Sequence, residues 1–167
     1  MDHLLYQFET KVSYGRNPIK IQSAVKYDTL ENIKEDSPLI NQNKFTVTSG
    51  KQWYDFLPFS DSFFFAISKR VKEIFEANNI TGLAYFPILI ENTDKEYFGF
   101  YITSYAGKIL NLDEITSYET DKHEFDHQTW DGSEIFTLQE TLLCICKQKV
   151  KDLLEKYKVT NVEVKPF

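Results

Sequence analysis

Val71-Lys72-Glu73-Ile74-Phe75-Glu76 is echoed later in the chain by Val150-Lys151-Asp152-Leu153-Leu154-Glu155. The echo continues without a gap: Ile80-Thr81-Gly82-Leu83 matches Val159-Thr160-Asn161-Val162, and Pro87 matches Pro166. The offset is constant, since 150 − 71 = 79 and 166 − 87 = 79. Val, Lys, Glu, Thr and Pro are identical at the paired positions, and most of the rest are conservative. The match runs through a turn and a strand, where helical periodicity imposes nothing.

Each copy reads the same way. An apolar run, Phe63 to Ile67 or Leu142 to Ile145, suits a buried strand. Ser68 and Cys146 stand where a helix cap is expected. Val71, Ile74 and Phe75 then fall at i, i+3 and i+4, as do Val150, Leu153 and Leu154, with Tyr157 at i+7. This spacing predicts one apolar stripe on a short helix. Lys and Glu fill the outer face, with Lys151 and Glu155 one turn apart. The helices stop at Asn78-Asn79 and at Lys158. Gly82 and Asn161 can supply the left-handed residue of the exit. A strand follows in each, Leu83 to Ile90 and Val162 to Val164.

Working outward, Tyr97-Phe98-Gly99-Phe100-Tyr101-Ile102 reads as a strand, and Gly107 marks a turn. Leu4 to Phe8, Ile19 to Tyr27 and Lys44 to Thr48 are further strand candidates, and Asp28 to Gln42 reads as a loop or short helix. The expected fold is α+β: two strand–helix–strand units sharing one core, with additional antiparallel strands. It forms a single domain over residues 1–167. N-terminal strands and a loop occupy 1–52, the first unit 53–92, a middle strand and acidic loop 93–134, and the second unit 135–167.

The 167 residues are 42% hydrophobic and 16% aromatic, ample for a packed core. A net charge of −6 and a pI near 5.1 disfavour nucleic acid, because an acidic surface gains nothing from counterion release. They favour a basic partner through electrostatic steering. Met1 to Thr10 carries Asp2 and Glu9 and no basic start, which argues against a secretory signal. No apolar run approaches the ~20 residues of a membrane span. Cys144 and Cys146, two residues apart, are too few for a disulfide framework or a zinc site and suit a reducing cytoplasm.

Eight acids crowd between Asp113 and Glu134, against one base, Lys122. Asp113, Glu114, Glu119, Asp121, Glu124, Asp126 and Asp131, with Trp130 as a candidate anchor, form the expected docking surface for a basic partner. The other reading is a solvated loop with Trp130 buried. The same segment holds His123-Glu124-Phe125-Asp126-His127, which fits H-E-x-x-H. In zinc hydrolases two such His, one helical turn apart, hold the metal and the Glu activates its water. Here the flanks are polar and soon broken by Gly132, and no third ligand is evident. A zinc hydrolase using His123, His127 and Glu124 therefore stands as the alternative. The aromatic run Trp53-Tyr54-Asp55-Phe56-Leu57-Pro58-Phe59, leading into Phe63-Phe64-Phe65, reads as core or as a partner-facing patch. No phosphate-binding glycine loop, nucleophile elbow or cysteine triad is present, and no cofactor is expected.

These residues resemble the immunity protein 11-like family of bacterial polymorphic toxin systems. The resemblance rests on Ala66-Ile67-Ser68 with Val71 to Pro87, on Tyr97 to Ile102 with Leu112-Asp113 to Ser117, on Gly132 to Phe136, and on Leu142 to Pro166. It covers roughly residues 55–167. Cys146 and Asn161 depart from it, standing where Ser and Gly are usual, and the first fifty residues lie outside it. The resemblance implies a protein with no catalytic residues of its own that binds a cognate toxin and blocks it.

Overall fold

A single residue, Ser68, ends one strand and starts a helix. Its extended backbone (φ −65°, ψ 156°) leaves the side chain free to accept a hydrogen bond from the Val71 N–H, so the chain turns into the helix without a loop. The computed structural model describes residues 4–11, 16–111 and 123–167. The strands are β1 (Leu5–Thr10), β2 (Lys20–Ser23), β3 (Lys44–Ser49), β4 (Phe56–Pro58), β5 (Phe65–Ser68), β6 (Leu83–Ile90), β7 (Tyr97–Ile102), β8 (Tyr105–Ala106), β9 (Ile135–Leu138), β10 (Ile145–Lys147) and β11 (Val162–Pro166). The helices are α1 (Pro38–Asn41), α2 (Lys69–Ala77) and α3 (Gln148–Lys156). The protein is thus mixed α/β and rich in sheet.

The strands form two sheets, ordered β11-β1-β10-β9-β8 and β2-β3-β6-β7-β5-β4. Pairing is antiparallel except between β3 and β6 and between β8 and β9. The order β6-β7-β5-β4 in one sheet is matched by β11-β1-β10-β9 in the other. The offset of 79 holds for hydrogen bonds as well as residue types. Asn78, Asn79 and Ile80 donate back to Ile74, Glu76 and Phe75, as Tyr157, Lys158 and Val159 do to Leu153, Glu155 and Leu154. Asn79 and Lys158 are left-handed (φ 51° and 48°), and so are Gly82 and Asn161 (φ 98° and 61°). β4 and β9 also fall in register, with Phe56 opposite Ile67 and Ile135 opposite Cys146.

The strand matching β7 comes from the start of the chain. Phe98 lies opposite Ile67 and Tyr6 opposite Cys146, while Phe100 faces Tyr85 and Phe8 faces Val164, so β7 and β1 correspond at 98 − 6 = 92. Each half also grips the other. The Phe56 N–H donates to the Thr160 carbonyl (3.3 Å) and the Ile135 N–H to that of Thr81 (3.0 Å). One apolar cluster spans both halves, joining Val71, Ile74 and Phe75 of α2 to Val150, Leu153 and Leu154 of α3. In the six-stranded sheet, Ile21 of β2 and Phe45 of β3 pack with Leu39 of α1 and with Leu57, Ala66, Phe86 and Ile88 in a second apolar cluster. The other face of the five-stranded sheet packs Phe136 and Ile145 against Phe125 and Ala106.

Several expectations change. The residue that caps α3 is Lys147, one place after Cys146, and it makes no side-chain cap bond. Phe63 lies outside β5 and is 84% exposed, and Leu142 to Cys144 precede β10 rather than forming it. The strand expected over Ile19 to Tyr27 shrinks to Lys20–Ser23, because the Ser23 hydroxyl accepts from the Val25 N–H and turns the chain.

Gly82 gives a test. A Cβ there would sit 1.7 Å from the Ile135 carbonyl oxygen, at a φ that L side chains disfavour. Gly82→Ala should therefore lower unfolding free energy by more than about 1 kcal/mol in urea titration.

Candidate functional site

Of the acidic residues proposed as a docking surface, Asp113, Glu114, Glu119 and Asp121 lie outside the described residues. Their flanks are pinned side by side: Ile109 bridges Phe125, and the Leu110 N–H donates to the Glu124 carbonyl at 2.7 Å. Glu124 is exposed, and its N–H bonds to Asn111. Asp126 caps the 3₁₀ turn His127–Thr129 by accepting from the Gln128 N–H. Asp131 accepts from the Ser104 hydroxyl (2.6 Å) and the Ser133 N–H (2.9 Å), which hold its carboxyl below the ordinary aspartate value. Two of these three carboxylates are thus occupied in shaping the segment. Trp130 is half-buried against Phe136, ring centroids 4.8 Å apart, with the Lys147 ammonium 5.6 Å above it.

The H-E-x-x-H string does not occupy a helix. Phe125, at its centre, is in the bridge to Ile109 and is buried, and His127 begins the 3₁₀ turn. His123 stacks on Phe167 at 4.7 Å, and His127 lies against Phe125 at 4.1 Å. The turn-apart placement that lets two imidazoles share one zinc depends on α-helical spacing. Among the described residues, no group of three or more His, Cys, Asp or Glu comes together as a metal site. The string matched in composition, and its surroundings made it an aromatic-packed bend.

Burial pushes the thiols of Cys144 and Cys146 up to about 12, so both are neutral near pH 7 and poor nucleophiles.

Among the described residues, the most heavily bonded carboxylate is one that the sequence left inside an aromatic run. Asp55 precedes β4 and is 8% exposed. One oxygen accepts from the Ser68 hydroxyl (2.7 Å) and Arg70 Nε (3.2 Å). The other accepts from Arg70 Nη2 (2.6 Å), the Thr160 N–H (2.9 Å) and the Thr160 hydroxyl (3.0 Å). Arg70 also donates to the Tyr157 carbonyl. Burial works against the charged form, but the bonds from Arg70, Thr160 and Ser68 outweigh it and hold the carboxyl below the ordinary aspartate value. Its counterpart Glu134 meets Lys147 and Lys149 only at 3.8 and 3.9 Å. A lone acid among Trp53, Tyr54, Phe56 and Leu57 was the available signal: such a charge is solvated or fully bonded.

No family model matches the chain, and no curated protein matches it. No helix among the described residues is long and apolar enough to cross a membrane.

Asp55→Ala should cost about 3 kcal/mol, since it strands donors that the carboxylate satisfied, while half-exposed Arg70 can turn to water. Because the folded-state pKa is depressed, this stabilisation is full above the ordinary aspartate pKa and fades as pH falls through the folded value. Denaturation of wild type and Asp55→Asn should therefore differ at pH 7 and converge once the pH falls below the depressed folded-state value.

Proposed function

We propose that the chain is a toxin-neutralising immunity protein that binds a cognate bacterial toxin in the cytoplasm and occludes it. The reading includes a finer view of the fold: β4-β5-α2-β6 and β9-β10-α3-β11 are two copies of one unit within a single domain over residues 1–167. One observation carries it. The resemblance rests on a strand, a helix, a Thr-Gly-type exit and a second strand, and these segments repeat their hydrogen bonds and left-handed residues at a constant offset. Two copies gripping through Thr81 and Thr160 make a scaffold whose specificity lies in its additions. Such a protein works by surface complementarity, and its acidic charge suits a cationic toxin.

The test is coexpression with the polypeptide encoded beside it. Growth of a host producing that polypeptide should fail without this chain and recover with it, and the two should copurify at fixed stoichiometry. A neighbour that is harmless alone, or lethal regardless of this chain, would remove the reading. In a complex so obtained, Glu124→Lys should slow association several-fold at low salt while leaving melting temperature unchanged, because exposed rim charges act on encounter.

A further inference from the structure

Phe63, Phe64 and Phe65 lead into β5, and their partners at 142 − 63 = 79 are Leu142, Leu143 and Cys144. Residues 8–10 of β1 and 100–102 of β7 are related in the same way, at 100 − 8 = 92. All four tripeptides line one cleft of about 500 Å³, at the seam between the two halves. That is within the size range of small-ligand and side-chain pockets. Phe65 forms part of its aromatic wall, edge-on to both Phe8 (6.1 Å) and Phe100 (5.3 Å). The two sides differ in bulk: where the first half places three phenyl rings, the second places two isobutyl groups and a thiol. Asn32 and Ile33 border one side, and Asn32 is fastened to the second half by its bond to the Thr141 carbonyl (2.8 Å).

The mouth is unlike an ordinary surface. Phe63 stands on it 84% exposed, and Leu30, 81% exposed, lines an adjoining hollow that shares Asn32 and Leu142. Two carboxylates border these side chains. Asp61 accepts from the Tyr27 hydroxyl and Asp28 from the Leu30 N–H. Among the described residues neither forms an ion pair, whereas Glu31 and Glu9 pair with Lys34 and Lys165. A small molecule sunk in the cleft would meet Phe63 but leave Leu30, which lines only the adjoining hollow, as wet as before. A polypeptide laid across the mouth covers them, and a basic one also meets Asp28 and Asp61.

We propose that this seam cleft receives a bulky apolar side chain carried by a basic polypeptide partner, an inference that rests on the protein-binding reading above. The cleft supplies the desolvated pocket, Phe63 and Leu30 the apolar ring around it, and the two aspartates the polar rim. The acidic segment after β8 then adds steering charge, and the anchor is held elsewhere.

The test uses the full chain and two variants: Phe63→Ala, which removes an exposed ring, and Leu142→Trp, which fills the mouth. Thermal melts should match wild type within a few degrees. Affinity for the neighbouring gene's polypeptide, by calorimetry, should fall about tenfold or more with each. The dye 8-anilinonaphthalene-1-sulfonate should bind the native protein with fluorescence gain, and Leu142→Trp should abolish that gain. A complex of unchanged affinity in both variants overturns the cleft proposal and leaves the immunity reading standing. Dye binding that depends on the cleft, with the complex unaffected, makes it a small-molecule site and likewise overturns the proposal. Absence of any complex with wild type removes both.

Discussion

Asp55 carries a negative charge into a nearly dry position, and its placement constrains three separate parts of the chain. A buried carboxylate is tolerated only when its lone pairs are met, and here they are met by Ser68, by Nε and Nη2 of Arg70, and by Thr160. These residues stand at the start of α2 and at the exit of α3. The strand entering at β4, the helix following β5 and the turn leaving α3 therefore have to arrive together. The Ser68 hydroxyl serves twice, donating to Asp55 and accepting from the Val71 N–H, so the helix cap and the inter-unit bond are one feature. The related position on the other side is looser. Glu134 is one methylene longer, and its carboxylate faces two lysines at almost 4 Å. Lys147, where Ser68 would be matched, gives α3 no side-chain cap. The two halves thus share a pattern of backbone hydrogen bonds while the chemistry of one joint is looser.

What could be read in the chain was local. The helix stripes, their lysine–glutamate faces and the left-handed exits lie within a dozen residues, where i, i+3 and i+4 spacing determines who meets whom. Gly82 and Asn161 both proved left-handed, and Asn161 uses its side chain to reach the Phe56 carbonyl. What could not be read was long-range. β1 alternates like any half-buried strand, and nothing in Leu5 to Thr10 names β10 and β11 as its neighbours, well over a hundred residues away. The distant partner of Asp55 was illegible for the same reason: Thr160 is 105 positions away. The H-E-x-x-H string failed in the opposite sense, since a pattern with the right letters lacked a helix to give its spacing meaning. Phe125 carries the decisive information there, because its burial beside Phe136 fixes that segment as a packed bend.

The repeated core also differs from the segments packed around it. α2, α3 and the strands they follow bury equivalent residues, so substitution there is limited by packing. The two sheets are extended by unlike material: β2, β3 and α1 in one, and β8 with the segment around Phe125 and Trp130 in the other. Those additions carry the surface features that a partner could distinguish, because connecting segments can vary while a packed core cannot. Asp126 and Asp131 illustrate the cost of mounting charge on such an addition. Each gives an oxygen to the backbone of its own turn, which leaves Glu124 as the carboxylate of that described stretch most open to a partner.

The seam follows from the same logic. Residues at matched positions of the two halves line the same cleft, where equal bulk on both sides would crowd. Phe63, Phe64 and Phe65 facing a second set of three phenyl groups would either close the gap or force the sheets apart, since interiors tolerate neither voids nor overlap cheaply. Leu142, Leu143 and Cys144 relieve that conflict on one side only. The smaller side chains at three matched positions therefore leave more room in a cleft whose other wall is aromatic. Phe63, released from packing, is turned out to solvent at its edge.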